Sequence, residues 1–266
     1  MKTVFTISIL ICMMLIASIA WSKIIHVPGD QPTIQGGIDA TIDGDTVLVA
    51  DGTYTGEGNK NLDFKGKAIT VASENGPENC IIDCEGDGMG FFFHSGEDSS
   101  SVLGGFTITN SSETYGGGIK CEGSSPTIEN NNIFNSFDHG IAIVSGSSPI
   151  ITNNRIQNNA LNGLDIWNNA NPEITHNVIV NNGHGIQVVW NCFPVIWSNT
   201  FEGNDIGITC NDGASPIIGG SLEHANDFLG DNFFAVEIQD STNINANYNY
   251  WGTVVEVEIQ AVIYDY

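Results

Sequence analysis

Positive charge is almost absent from this sequence. Seven lysines and arginines stand against 31 acids, a formal charge of −24 at pH 7, and Arg155 is the single arginine. Such a surface repels nucleic acid and anionic lipid, so no nucleic-acid partner is expected. It also opposes a polyanionic polysaccharide unless calcium bridges the two, and calcium is the one cofactor left open. Leucine is scarce, which argues against a leucine-rich repeat. After residue 22 no apolar run is long enough to span a bilayer, so the mature chain has no expected membrane span. The cysteine spacings do not read as a zinc site, Met/His clusters are missing, and no residue is assigned as a metal ligand.

What is present begins with Met1-Lys2 and an apolar run from Val4 to about Ile19. Small residues then fall at cleavage spacing, Ser18, Ala20 and Ser22. This is the pattern of a secretory signal peptide over 1–22, so an extracellular, cell-surface or periplasmic location is expected. The remainder is long enough for one large domain with a substantial core. Five cysteines stay in it: Cys80, Cys84, Cys121, Cys192 and Cys210. An odd number in an exported chain leaves at least one thiol free, and the pairing of the others is open.

Prolines recur at 126, 149, 172, 194 and 216, at intervals of 22 or 23 residues. The segments between them align without forcing, and each holds about three short apolar alternations divided by Asn, Gly or Ser. Ile141-x-Ile143, Leu164-x-Ile166 and Ile186-x-Val188 are examples. Alternation with period two is the mark of a half-buried strand, and no repeat has the length and period of a helix. Three short strands per repeat, stacked repeat on repeat, make an all-β parallel β-helix of about 8–9 turns, expected over 23–250. At a strand spacing near 4.8 Å the rod is on the order of 40 Å long.

Stacking turns residues one period apart into columns. Cys121, Ile143, Ile166, Val188 and Cys210 form one inward column. Ile128, Ile151, Ile174 and Ile196 form a second, and Ile133, Ile156, Ile179 and Phe201 a third. Asn131, Asn154, Asn177 and Asn199 form a structural ladder: asparagine tolerates a left-handed corner, and its amide passes hydrogen bonds along the stack. Residues 23–50 read as an N-terminal cap and first strand. In them PTIQGGIDATI suits a short helix before a strand at Thr46–Val49, weakened by Gly36 and Gly37. Residues 251–266 lose the repeat and read as a C-terminal cap.

Certain segments carry a closer likeness. TIQGGIDATIDGDTVLVADGTY, FKGKAITVASENGPENCIIDCEG and GFTITNSS resemble the opening of bacterial right-handed parallel β-helix repeat proteins of the pectin lyase-like superfamily. NYNYWG and IYDY resemble the end of such modules. The resemblance implies a right-handed single-stranded coil and an exported surface protein. Because many such proteins continue further, it also implies a chain that runs on past Tyr266. It leaves the activity open, since the fold carries lyases, hydrolases, esterases and adhesins.

The chemistry of those enzymes needs particular sets of residues. Gly183-His184-Gly185 matches a tripeptide of polygalacturonases, but the paired aspartates that must accompany it are missing. Equivalent positions in other turns read Asp138-His139-Gly140 and Leu161-Asn162-Gly163, so the tripeptide reads as a turn of the repeat whose glycine serves a bend. A basic cleft for pectate lyase and the acid–arginine set of pectin methylesterase cannot be assembled, and no catalytic residue is assigned. His139 and His184 stand two turns apart, about 9–10 Å, too far to share one metal ion. The acidic loops Glu85-Gly86-Asp87 and Glu97-Asp98 read as solvated.

One outward strand face remains. It carries Lys120, Ala142, Asp165, Gln187 and Thr209, then Glu122, Val144, Trp167, Val189 and Asn211, with Trp190 beside them and His184 at its rim. Tryptophan among Asp and Gln suits stacking on a sugar ring with hydrogen bonds at its edge. The expected ligand residues are Asp165, Trp167, His184, Gln187 and Trp190. The expected role is a monomeric, exported, non-catalytic rod for surface display, adhesion or carbohydrate binding. The expected partner is a glycan or another cell-surface component. A polysaccharide-active enzyme and a periplasmic metal-handling protein are the alternatives.

Overall fold

A computed structural model describes residues 22–231, 233–240, 244–252 and 263–265. The segment read as a signal peptide lies outside the described residues, apart from Ser22. The chain coils into three parallel sheets of nine, eight and eight strands, in about nine turns. The first sheet runs from Ile24–Val27 through Thr127–Glu129 to Ile217–Ile218. The second runs from Gly52–Tyr54 through Asn132–Phe134 to Asp227–Phe228. The third runs from Phe91–Phe93 through Ile141–Val144 and His184–Val188 to Ile263–Asp265. From Thr70–Ser73 to Phe234–Ile238 each turn contributes one strand to each sheet, so neighbours in a sheet are about one period apart in sequence.

The expected columns are the interior. Ile128, Ile151, Ile174 and Ile196 pair in register, as do Ile133, Ile156, Ile179 and Phe201, and all are fully buried. Burying one such side chain stabilises by about 1.5–3 kcal/mol, and the column repeats the gain every turn. Aromatics fill both ends of the core. Phe64, Phe91, Phe93 and Phe106 cluster near the start, and Phe201, Phe228 and Trp251 stack near the finish. All five cysteines are buried and unpaired, and burial pushes the Cys80 and Cys84 thiols up to about 12.

The N-terminal region differs from expectation in two ways. A strand, Ile24–Val27, precedes the helix and pairs in parallel with Thr46–Val49, so the helix Ile34–Asp39 is the crossover between two strands. Its Ile34 and Ile38 close the end of the core. Gly37 is not a weakness there. A Cβ at that position would stand 2.8 Å from a Val47 methyl, so only glycine lets the helix lie this close. Of the segment read as a C-terminal cap, residues 253–262 and 266 lie outside the described residues. Ile263–Asp265 adds a parallel strand to the third sheet, and Asn245 and Tyr250 still bridge to the turn before them.

The asparagine ladder is present, with one change in its logic. The backbone N–H of Asn131 donates to Asn154 Oδ1, that of Asn154 to Asn177 and that of Asn177 to Asn199, each at 2.9 Å. The ladder continues to Asn226 and Asn249. The left-handed residue, however, is the one before each rung: Asn130, Asn153, His176 and Ser198, with φ of 55–57°. The rungs hold the amide ladder, while their predecessors turn the chain. A second ladder at the next corner runs from Ser136 through Asn159, Asn182 and Asn204 to Asp231.

Candidate functional site

The outward face of the third sheet is built in register. Phe92 pairs with Lys120, Ala142 with Asp165, Asp165 with Gln187, Gln187 with Thr209 and Thr209 with Glu237. Much of this face is less exposed than an outward column suggests. Ala142, Val144, Asp165 and Thr209 are buried. The segment 110–118 explains part of this, being longer than its counterpart 135–140 in the next turn. It folds back over the sheet: Tyr115 N–H donates to Asp138 Oδ2 at 2.7 Å, and Gly117 bridges to Ile141.

Against that loop lies a hollow of about 210 Å³ lined by Tyr115, Asp165, Trp167, Gln187, Val189 and Trp190. Asp165 and Gln187 come from adjacent strands, and Trp167 and Trp190 from the corner that follows them. The two indoles meet edge to face, 5.8 Å between ring centres at 79°. Trp190 is 52% exposed and has a φ of 56°. Its column of corners is Ser145, Asn168, Trp190 and Asp212, all left-handed. Small polar residues fill this slot in the other turns, whereas an L-tryptophan pays about 1 kcal/mol or more to occupy it.

A polar network lies behind the hollow. Asn162 Nδ2 donates to Asp165 Oδ1 at 3.1 Å and to Gln187 Oε1 at 2.7 Å. The backbone N–H of Asn162 donates to His139 Nδ1 at 3.3 Å. His139 Nε2 lies 2.9 Å from Asp138 Oδ1 and 3.4 Å from Asp165 Oδ2. Burial pushes the Asp165 carboxyl above the usual carboxylate range. His139 and the Asn162 amide pull it back, while Asp138 adds to the rise. His184 follows Asn162 in the column but does not line the hollow. Burial holds its imidazole below the usual histidine range, and its Nδ1 has no hydrogen-bond partner among the described residues.

The structure thus brings Asp165, Trp167, Gln187 and Trp190 together and leaves His184 to one side. Tyr115, Asp138 and His139 belong to the same assembly, and sequence reasoning does not find them. The signal for Tyr115 is the longer corner at 110–118. Asp138 and His139 are visible in the sequence only as members of a histidine column. Gly183-His184-Gly185 is not a turn: His184 and Gly185 lie within the strand His184–Val188. Gly140, Gly163, Gly185 and Gly207 stack because a Cβ at each would stand 2.5–2.6 Å from the carbonyl oxygen of the next turn. Close approach, and not a bend, requires that glycine. The acidic loops are not merely solvated either. Glu85 and Asp87 enclose the Lys60 ammonium. Buried Glu97 accepts from Gly66 N–H, Ser95 N–H and the Ser124 hydroxyl.

The profile of the family described as right handed beta helix region matches residues 45–206 and 118–252. The chain belongs to this right-handed β-helix family. The match fixes the hand of the coil and spans the turns that carry the hollow. No curated protein matches the β-helix in sequence. A solved structure, the crystal structure of pectate lyase Pel9A, is similar over 90% of this chain and 82% of that chain, at 16% identity and a TM-score of 0.43. A likeness that distant carries no argument about what this β-helix does.

Proposed function

We propose that this protein is an exported, non-catalytic rod that binds a glycan, in the hollow between Trp167 and Trp190, for display or adhesion at a cell surface. Trp190 carries the reading. A large indole is held half-exposed on a left-handed backbone, beside a second indole, above the polar floor of Asp165 and Gln187. Apolar ring faces beside paired polar groups are what a pyranose needs, since it stacks through its C–H face and hydrogen-bonds at its rim. Titration of a polysaccharide panel, followed by indole fluorescence and calorimetry, tests this. Trp167→Ala is expected to weaken binding at least about tenfold, with the glycan recovered unchanged. Binding that survives loss of both tryptophans would end the proposal.

The Asp138–His139–Asp165 network favours a second reading, a polysaccharide-active enzyme in which Asp165 supplies the acid. A buried carboxyl with a raised affinity for its proton beside a sugar-sized hollow is the arrangement such chemistry uses. New reducing ends or unsaturated products in the same panel would replace the first reading with this one.

A further inference from the structure

We propose that the glycan of this hollow is uncharged, and that it is read through two neighbouring hydroxyls, one donating to Asp165 and the other accepting from the Gln187 amide. This rests on the glycan reading above and adds the class of sugar.

Donors, acceptors and charge decide the class. Both hydrogens of the Asn162 amide are committed, one to Asp165 Oδ1 and one to Gln187 Oε1. The Gln187 oxygen is turned toward Asn162, and its NH2 group, which has no hydrogen-bond partner among the described residues, is left to offer. Asp165 accepts only the Asn162 bond at Oδ1, so its carboxylate has lone pairs left for a ligand donor. The two residues are register partners on adjacent strands. An acceptor and a donor so placed match adjacent sugar hydroxyls, each of which can give one bond and take another.

The charge at the floor is negative on balance, with two carboxyls against a single imidazole. Asp138 and Asp165 flank His139. Lys120, two strands up the column, is held by Glu122 at 3.0 Å and lies over the Phe92 ring. Arg155 is on the second sheet, bonded to Gln157. Among the described residues no cation lines the hollow. A sugar carboxylate about 5 Å from Asp165 would be disfavoured by roughly a hundredfold or more at an intermediate dielectric.

The test is calorimetry of the protein with neutral hexaoses of glucose, xylose and mannose, and with hexagalacturonate, each with and without calcium. At least one neutral hexaose is expected to bind and quench the indoles, with hexagalacturonate about a hundredfold weaker in either buffer. Gln187→Lys is expected to create hexagalacturonate binding, and Asp165→Asn to bring the acidic and neutral affinities within about tenfold of each other. The two variants test the same charge from different strands, so failure of one to fold leaves the other decisive. Hexagalacturonate binding as tightly as the best neutral sugar, with or without calcium, would overturn the proposal. If no hexaose binds and Trp190→Ala is silent, the glycan reading itself falls, and this inference with it.

Discussion

Trp190 spends stability to stand where it does. At a φ of 56° its Cβ crowds its own carbonyl, a strain that Asn168 in the preceding turn bears more easily. Trp190→Asn should therefore raise the unfolding free energy by about 0.5–1 kcal/mol while abolishing glycan binding. Thermal unfolding read beside calorimetry checks both, and a variant that loses stability would show that the indole is there for packing. Gly185 makes the opposite case. Gly185→Ala puts a methyl 2.5 Å from Gly207 O and 3.0 Å from the Phe201 ring, an overpacking expected to cost about 2–3 kcal/mol. His184→Asn, which copies Asn162, should cost under about 0.5 kcal/mol. Denaturant titration of the pair separates the glycine from the histidine, and equal losses would restore the imidazole to importance.

At the scale of the strand and corner, the period makes the interior legible. A residue such as Ile151 recurs at one slot every turn, so spacing alone reveals its column. The second asparagine ladder is not legible in this way, because Asn159, Asn182 and Asn204 merge with an asparagine-rich background. Tyr115 is hidden because a corner insertion shifts register where no repeat constrains it. The second ladder ends on an acid. Asp231 Oδ1 accepts from the Asn204 N–H and amide at 3.1 and 3.0 Å, while Oδ2 is buried without a partner among the described residues. Burial pushes this carboxyl up to about 6 against the Asn204 bonds, which pull it down. A raised value in the folded state means that the protonated form is favoured there, so stability is full at acid pH and is lost as pH rises through about 6. Asp231→Asn keeps the accepting oxygen and removes the charge. It should gain about 2 kcal/mol at pH 8 and almost nothing at pH 4. Equal melting temperatures for the two proteins at pH 8 would show that the Asp231 charge costs nothing.

Over the whole rod, two opposed sets of groups and one field set a pH optimum. On the acid side stands Glu97. Burial alone would raise its carboxyl, but the Gly66 and Ser95 N–H groups and the Ser124 hydroxyl outweigh it and hold it below the usual range. A lowered folded value means that its contribution is present above about pH 4.5 and disappears as pH falls further. On the alkaline side stand Asp165 and Asp231, both raised by burial, whose ionisation costs stability as pH climbs. The net charge of −24 at pH 7 acts in the same direction, because a chain with 31 acids and 7 bases repels itself once folded. Stability should therefore peak near pH 5, between the two limbs. Salt distinguishes the causes on the alkaline limb. Long-range repulsion between exposed carboxylates fades at high ionic strength, whereas the cost of a buried charge does not. Melting temperature measured across pH at low and high sodium chloride should show a limb that flattens in part with salt, with the remainder shrinking in Asp231→Asn. A maximum at neutral pH, or a limb that salt erases entirely, would mean that the buried carboxyls at Asp165 and Asp231 contribute nothing and that the acid-rich surface alone sets the curve.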